Sequence, residues 1–254
     1  MPGVPDALAD PILKRFPLRR HRIPIGARSL SVVLPDDRAW LREGSWAPAV
    51  VRGKEPPYWV RVWPAAVALA RQLARAGELD GAKVLDLGCG VGLPGIEATA
   101  LGAAVCFADR EPDALAFARW NARHQPTCRH EVTVQQVDWS LGAVSGNHEL
   151  VLLSDVSYHR SNHAPLHRQL ERTLSDDGCV LHADPMRELS SRFLSELGER
   201  YQLATRVVPT HHQGRRTPVR LAVAARDADR LEHWLDRLNW PSMDRGDAPI
   251  PSAS

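Results

Sequence analysis

The chain has 254 residues, of which 44% are hydrophobic and 24% are charged, and its formal net charge at pH 7 is +2. This length and composition suit one sizeable α/β domain with a packed core and extra segments at its ends. A net charge so close to neutral argues against nucleic-acid binding driven by charge alone, although it leaves room for a local basic patch.

The first 45 residues are predicted to form an arm ahead of the main domain. Residues 28–34 have the pattern of a strand, and residues 21–25 can pair with them through Gly26 as a β-hairpin. The stretch 11–35 has no acidic residue. We expect its basic side chains to form a solvated face, with binding of an acidic partner as the alternative. These side chains are Lys14, Arg15, Arg19, Arg20, Arg22 and Arg28.

From Pro64 onward, helices and strands are predicted to alternate. Strands are predicted at 83–87, 104–108, 132–137, 150–154, 179–183, 206–209 and 219–225. Helices are predicted at 64–76, 93–101, 113–124, 164–174, 189–197 and 227–238. The alternation predicts a Rossmann-like, doubly wound α/β fold, with a mostly parallel seven-stranded sheet and an antiparallel strand at its edge. The main domain is predicted over residues 46–226, and a C-terminal helix with a flexible tail over 227–254.

An aspartate is expected at or near the end of each of the first five strands of the main domain. In open α/β sheets, ligands bind beyond the carboxyl ends of the strands. One aspartate at such a position commonly starts a turn, but five at one edge indicate a pocket that prefers a cation. The five are Asp86, Asp109, Asp138, Asp155 and Asp184.

The most specific motif is the glycine loop, Asp86-Leu-Gly-Cys-Gly-Val-Gly92. Its glycines permit a tight turn and the close approach of a ligand. Residues 90–95 also fit the dinucleotide pattern Gly-x-Gly-x-x-Gly, with Asp109 as a ribose-binding acid, as in a nicotinamide dehydrogenase. Against that alternative, Asp86 would repel a pyrophosphate, and Pro94 removes a backbone N–H that phosphate binding would use. A ligand with an amino acid tail and a sulfonium suits Asp86 better.

The glycine loop resembles motif I of class I, or seven-β-strand, S-adenosylmethionine-dependent methyltransferases. Three further motifs and the loop 92–95 together resemble methyltransferase family 16, whose characterised members are mostly protein lysine methyltransferases. These motifs are Trp63-Pro64-Ala65, Asp138-Trp139 and Asp155-Val-Ser-Tyr158.

Two short pieces are similar to the branch of that family that methylates the electron-transfer flavoprotein β-subunit. They are Tyr58-Trp59 and Asp184-Pro-Met-Arg187. That branch commonly has glycine at the position of Met186, so the loop around Arg187 departs from the pattern. The resemblance covers roughly residues 56–190.

The resemblance implies that S-adenosyl-L-methionine is the cofactor and indicates which side chains hold it. Asp86 and the loop would hold the methionine part, and Asp109 would accept hydrogen bonds from both ribose hydroxyls. Asp138 would accept from the adenine amino group beside Trp139, while Trp63 would close over the cofactor unless it only packs in the core. The implied cofactor residues are Trp63, Asp86, Gly88, Cys89, Gly90, Gly92, Asp109, Arg110, Asp138, Trp139 and Ser154.

The implied reaction is in-line methyl transfer to a lysine amine of a protein. Such a reaction depends mainly on positioning the nucleophile and excluding water, and the amine must be neutral because its reference pKa is about 10.4. Asp155 and Tyr158 are the expected catalytic residues, since the carboxylate can accept from the amine and the phenol adds a partner and an apolar wall. The alternative for Asp155 is that it only starts a helical turn.

Other functions fit the sequence less well. Nucleic-acid amino-methyltransferases often carry Asp/Asn-Pro-Pro-Tyr after the fourth strand, where this chain has residues 154–158, Ser-Asp-Val-Ser-Tyr. Ser157 lacks the surroundings of a hydrolase nucleophile. A nicotinamide-like small-molecule N-methyltransferase and an inactive cofactor-binding scaffold remain the alternatives.

The histidines suggest no metal site. Spacing of four residues would align them on a helix, but no carboxylate or cysteine completes a tetrahedral set in sequence, so we expect a solvated face. Pro165 makes it doubtful that the first of them belongs to that helix. The spaced group is His159, His163 and His167. His211 and His212 are expected in a surface loop, with contact to substrate as the alternative.

The cysteines and the N-terminal sequence favour a cytoplasmic protein, and a monomer is expected. Cys89, Cys106, Cys128 and Cys179 form no Cys-x-x-Cys pair, so reduced thiols are expected. No signal peptide is recognised at the N-terminus. No stretch approaches the roughly 20 apolar residues of a membrane span, so no membrane association is expected.

Overall fold

The structure is a computed structural model that describes residues 13–36 and 56–241. The predicted boundary between the arm and the main domain lies outside these residues, as does most of the predicted tail. In chain order the strands are β1 (Leu18–Ile25), β2 (Arg28–Pro35), β3 (Lys83–Leu87), β4 (Ala104–Asp109), β5 (Val132–Gln136), β6 (His148–Ser154), β7 (Leu174–Asp184), β8 (Gln202–His212) and β9 (Arg215–Ala225). The α-helices are α1 (Pro64–Leu73), α2 (Leu93–Ala100), α3 (Pro112–Arg123), α4 (Arg160–Thr173), α5 (Glu188–Gly198) and α6 (Ala228–Arg237).

The main sheet has seven strands in the order β5-β4-β3-β6-β7-β9-β8. The first five strands of this order run parallel, whereas β9 is antiparallel to both β7 and β8. The predicted doubly wound α/β fold is therefore confirmed. The antiparallel strand lies one place inside the edge, because β8 covers it.

The central strands are buried on both faces, as continuous apolar runs in parallel sheets predict. Alternate residues belong to two separate cores. On one face Val84 and Leu150 pack with side chains of α1, α2 and α6. On the other face Leu85 and Val151 pack with side chains of α4 and α5. Within the described residues, no helix is both long and apolar enough to span a membrane.

The hairpin of β1 and β2 packs onto the helices that cover the first face. Ile25 and Val32 belong to the same core as α1 and α2. The side-chain amide of Asn121 on α3 forms two hydrogen bonds of 2.7 Å to the backbone of Val33, accepting from its N–H and donating to its carbonyl. Arg28 also forms an ion pair with Glu97 on α2, whose side chain is fully buried. The predicted hairpin is thus integrated into the main core.

The predicted solvated histidine face is wrong for His163 and His167. Both side chains are buried, because α4 packs against α5 and their rings lie 5.4 and 4.8 Å from the ring of Phe193. His159 precedes α4 as its cap residue. Among the described residues, no group of three or more potential ligands is arranged to hold a metal ion.

The predicted loop at His211 and His212 is also wrong, since both residues lie in β8. Strands β8 and β9 pair in continuous register as far as His212 and Arg215. Only Gln213 and Gly214 remain for the turn, and both have positive φ, 49° and 74°, as a tight hairpin turn of the mirror-image type requires. His212 Nε2 lies 3.1 Å from the carbonyl oxygen of Val62, so it helps to hold the segment before α1.

Candidate active site

Five aspartates lie at the carboxyl ends of the five parallel strands. Asp109 and Asp184 are the last residues of β4 and β7, and Asp155 directly follows β6. Asp138 lies two residues after β5, and Asp86 is the penultimate residue of β3. Because these strands are parallel neighbours, the topology brings all five residues to one edge of the sheet.

The glycine loop connects β3 to α2 at this edge. Gly88, Gly90 and Gly92 have φ values of 70°, 52° and 80°, a left-handed region in which other residues are strained. A Cβ atom at Gly92 would lie 2.6 Å from the Cβ of Ala118 on α3. A Cβ atom at Gly90 would have nothing closer than Trp59 at 3.7 Å. The loop therefore packs tightly at Gly92, whereas a side chain at Gly90 would make ordinary van der Waals contact with Trp59.

The carboxylate of Asp86 lies beneath the glycine loop and has no exposed surface. Its Oδ2 accepts a hydrogen bond of 2.9 Å from the backbone N–H of Gly95 in the first turn of α2. Burial raises the pKa of Asp86 to about 8. Its Oδ1 is buried without a hydrogen-bond partner among the described residues. In this conformation Asp86 supports the turn into α2 and does not face the outer side of the loop.

Asp109 joins the glycine loop to the end of β4. Its Oδ2 accepts a hydrogen bond of 2.9 Å from the N–H of Gly90, and its Oδ1 accepts one of 3.0 Å from the N–H of Glu111. Burial raises the pKa of Asp109 despite these hydrogen bonds. The neighbouring Arg110 is half exposed, with Nε 3.5 Å from Glu111 Oε1.

Asp138 and Trp139 flank the glycine loop on the β5 side. Asp138 Oδ1 accepts hydrogen bonds from the hydroxyl and the N–H of Ser140, at 2.5 and 2.9 Å, and these bonds lower its pKa. The ring of Trp139 is so close to the loop that a Cβ at Gly88 would lie 2.9 Å from it. Both residues follow β5, where the sequence predicts them.

Asp155 is bound by an arginine that the sequence analysis does not single out. The guanidinium of Arg187 faces the carboxylate in a two-pronged arrangement, with Nε 3.2 Å from Oδ1 and Nη2 3.2 Å from Oδ2. Asp155 itself has φ of 52°, and its N–H donates to the carbonyl of Ala183. Asp155 and Arg187 are 32 positions apart in sequence. The only signal was the short Asp184-Pro-Met-Arg187 piece.

Three aromatic side chains, called the aromatic row, contact one another in series: Trp63, Tyr58 and Tyr158, the last of which lies three residues after Asp155. The ring of Tyr58 lies 6.0 Å from that of Trp63 and 6.2 Å from that of Tyr158, both edge-on. The indole N–H of Trp63 donates to the carbonyl of Tyr58, at 2.9 Å. Trp63 and Tyr158 were predicted, whereas the sequence analysis cited Tyr58 only as part of a family motif.

Three buried polar side chains, called the relay, contact one another close to Asp155 in sequence: Ser157, His182 and Asp184. The hydroxyl of Ser157 is 3.1 Å from His182 Nε2, and His182 Nδ1 is 3.8 Å from Asp184 Oδ2. Burial lowers the pKa of His182 to about 3 and raises that of Asp184 to about 6, although Arg220 at 3.7 Å opposes the latter shift. Ser157, His182 and Asp184 have no exposed surface. The relay is therefore structural, and a hydrolytic role for Ser157 has no path for substrate.

The strand order, the glycine loop and the acids at the strand ends define a class I methyltransferase. The family described as lysine methyltransferase matches residues 58–200, which is more than half of the chain. The chain belongs to this lysine methyltransferase family. Membership confirms the methyltransferase activity and the S-adenosylmethionine cofactor expected from motif I.

Relatives of known activity support this family assignment. Protein N-lysine methyltransferase METTL21A of Danio rerio is 37% identical over 149 residues, covering 56% of this chain and 68% of the relative. The electron transfer flavoprotein beta subunit lysine methyltransferase of Danio rerio is 32% identical over 162 residues, covering 63% of this chain and 60% of the relative.

Solved structures confirm the fold. Magnesium protoporphyrin IX methyltransferase from Synechocystis PCC 6803 superposes with a TM-score of 0.52 at 18% identity, covering 75% of this chain and 97% of the other. The N-methyltransferase NodS from Bradyrhizobium japonicum gives a TM-score of 0.51 at 12% identity, covering 64% and 86%. These identities are low, so the two structures speak for the fold alone.

Proposed function

We propose that this protein transfers a methyl group from S-adenosylmethionine to the side-chain amine of a lysine in a protein substrate. The observation that carries the proposal is Asp155, which follows β6 beside Tyr158 at the same sheet edge as the glycine loop. A carboxylate and a phenol at this position suit the side-chain amine of a lysine. Lysine methylation is also the activity named for the relatives from Danio rerio.

The residues at the sheet edge fit the proposed cofactor. Gly90 has no side chain, so a ligand can approach the backbone of the loop closely, and its N–H is hydrogen-bonded to Asp109. Asp109 can accept from ribose hydroxyls, and Asp138 can accept from an adenine amino group next to Trp139. We assign Arg110, Ser154 and Trp63 to the rim of the same site. Asp86, buried beneath the loop, would contribute by holding the start of α2 and with it the loop Gly88–Gly92.

The chain's own residues would orient the acceptor amine for the reaction. When bound, the cofactor supplies a methyl group on a positively charged sulfur. The neutral amine would donate its lone pair to this methyl group, and the sulfur would keep the electron pair of the former C–S bond. Asp155 would accept a hydrogen bond from the amine, and Tyr158 and Tyr58 would contact the lysine side chain. The product ammonium would later release its proton to solvent.

Substitution of Asp155 tests this assignment. We expect Asp155→Ala to lower kcat/KM at least about tenfold and to change cofactor affinity little, because an interaction with the reacting amine appears mainly in turnover. Transfer of labelled methyl groups to protein in a cell extract, resolved on a gel, measures turnover, and calorimetry measures cofactor binding. The control is Asp176→Ala, since that side chain is 92% exposed and lies near the start of β7, at the opposite end of the strand from Asp184.

Three outcomes would contradict the proposal. Loss of cofactor binding in Asp155→Ala would move this residue to the cofactor site. Label that accumulates only in small molecules would support the nicotinamide-like alternative. Cofactor binding by the unaltered protein without transfer to any acceptor would support an inactive scaffold.

We infer that the protein acts as a monomer on protein substrates in the cytoplasm. Its four cysteines are free, and Cys89, Cys106 and Cys179 are buried, which is consistent with a reducing compartment. Sedimentation of the purified protein checks the monomer, and fractionation of cells checks the compartment.

A further inference from the structure

The pairing of Asp155 with Arg187 changes what an incoming amine would meet. Both oxygens of Asp155 face nitrogens of one guanidinium at 3.2 Å. The Asp155 side chain is 9% exposed, whereas that of Arg187 is 49% exposed. The carboxylate is thus held in the protein and the arginine covers it from the solvent side. The pair together carries no net charge.

A bare carboxylate at this position would work against the reaction. The attacking lysine must be neutral, yet an adjacent negative charge stabilises the ammonium form. A nearby positive charge has the opposite effect and makes proton loss easier. The charge balance around Asp155 therefore determines which form of the amine is bound.

We propose that Arg187 neutralises Asp155 so that the target lysine is bound as the free amine ready for methyl transfer. In this role Arg187 is a positioning and charge-balancing residue that acts through Asp155. Asp155 keeps lone pairs that can accept a hydrogen bond from the amine. This inference rests on the proposed function, because it concerns the amine that Asp155 receives.

Other titratable groups lie near the pair of Asp155 and Arg187, and their charges also bear on the incoming amine. Arg187 also faces Asp184 and the phenol of Tyr158. Asp184 is opposed by Arg220, 3.7 Å away. The adjacent His182 is neutral near pH 7, since burial holds its pKa at about 3. Asp184 has a pKa of about 6, so its titration lies well below the range in which a lysine amine loses its proton.

The pH dependence of methylation tests the proposal. The probe is the protein acceptor labelled in the extract assay, purified and used at saturating concentration between pH 6 and pH 10. We expect Arg187→Gln to move the rise of kcat about one pH unit upward, so that kcat falls about tenfold at pH 7 and recovers towards pH 10. KM should fall, because the ammonium form binds a bare carboxylate more tightly.

Two further variants separate charge from structure. Arg187→Lys keeps the positive charge without the two-pronged geometry, so its kcat should rise at the same pH as that of the unaltered protein. Arg192→Gln removes a comparably exposed arginine from α5, the helix that directly follows Arg187, and should leave the pH profile unchanged. Equal pH profiles for the unaltered protein and Arg187→Gln would overturn the proposal. Higher kcat at pH 7 in Arg187→Gln would also overturn it, because Arg187 would then be a latch that substrate must displace.

A binding measurement tests the same idea without methyl transfer. Butylammonium, which reproduces the end of a lysine side chain, is titrated into the protein saturated with S-adenosylhomocysteine. At pH 7 we expect Arg187→Gln to bind butylammonium at least about fivefold more tightly than the unaltered protein does. Equal affinities would contradict the proposal. A labelled small molecule in place of a labelled protein would refute the proposed function, whereas the titration would still decide the role of Arg187.

Discussion

Asp109 holds the glycine loop at the carboxyl edge, and its hydrogen bonds are compatible with the second role that we propose for it, binding of the cofactor ribose. Its two oxygens accept from the N–H groups of Gly90 and Glu111, so they hold the glycine loop against the end of β4. Each carboxylate oxygen has more than one lone pair. Asp109 can therefore accept from ribose hydroxyls while it keeps the loop in place.

Replacement of Asp109 should accordingly weaken cofactor binding strongly. Hydrogen bonds to a charged partner contribute about 1.5–3 kcal/mol, so we expect Asp109→Ala to lower the affinity for S-adenosylhomocysteine at least about tenfold. Asp109→Asn, which keeps one acceptor oxygen, should lie between this variant and the unaltered protein. Calorimetry measures these affinities. NAD should bind neither to the unaltered protein nor to the two variants. An unchanged affinity in Asp109→Ala would remove this residue from the cofactor site.

The site residues that sequence could predict are those that follow directly from strand ends. Asp138 and Asp155 were placed by counting from β5 and β6, and parallel strands then brought them together. The pairing of Arg187 with Asp155 could not be predicted, because it depends on how the loop after β7 is folded. The direction of Asp86 was also beyond reach, since alternation along β3 does not tell whether a ligand or α2 occupies the side it faces.

At the scale of elements, the sequence predicted which strands and helices exist better than it predicted where they begin and end. Strands were expected at 179–183 and 206–209, whereas β7 begins at Leu174 and β8 spans Gln202–His212. The helix before β7 was predicted to start at residue 164, because proline favours the first helical turn, but α4 starts at Arg160 and contains Pro165. The turn between β8 and β9 was predicted as a loop. Its residues Gln213-Gly214 lack the Asn-Gly or Asp-Gly signal that usually marks a two-residue hairpin.

An ion pair between the hairpin and α2, Arg28 with Glu97, adds to their apolar contact and should respond to pH. Burial raises the pKa of Glu97 to about 7, while Arg28 opposes the rise. Because this folded-state pKa is above the ordinary value of 4.5, the folded state holds an extra proton between the two values. Stability is therefore lost as the pH rises through that window. Loss of Arg28 would enlarge this cost at high pH.

We therefore expect Arg28→Met to destabilise the protein by about 1–2 kcal/mol at pH 8 and by less at pH 5. The cost should be below that of a fully buried pair, because the Arg28 side chain is 42% exposed. Urea unfolding at both pH values measures it. The double variant Arg28→Met with Glu97→Gln should recover stability at pH 8. If the single variant is equally destabilised at both pH values, the loss comes from packing and not from the charge on Glu97.

At the scale of the whole molecule, the described part of the arm, residues 13–36, packs against the segment that carries Tyr58 and Trp63, with the ring of Phe16 5.6 Å from that of Trp59. A small cavity of about 20 Å³ is bounded by His21 and Ile23 of β1, by Val60 and Val62, and by His212 of β8. Val60 and Val62 belong to the segment that carries Tyr58 and Trp63. The arm therefore adjoins the rim where we propose that a protein substrate enters, and its apolar side is occupied by the core.

The exposed arginines of this arm should act on the choice of protein substrate and not on the cofactor. Arg19, Arg20 and Arg22 of β1 are exposed, and a basic surface attracts an acidic partner with a strength that falls as salt screens it. We expect the triple replacement by Glu to lower kcat/KM for the labelled acceptor several-fold at low salt, with a smaller loss at high salt and unchanged cofactor affinity. Deletion of the arm is a poorer test, because it would expose the core side chains of the main domain that pack against Ile25 and Val32. Replacement by Glu of the exposed Arg168 and Arg172 on α4 and Arg192 on α5 makes the same change in net charge, and this control should have little effect. Equal methylation by the arm variant and the unaltered protein at low salt would leave the arm only a structural role.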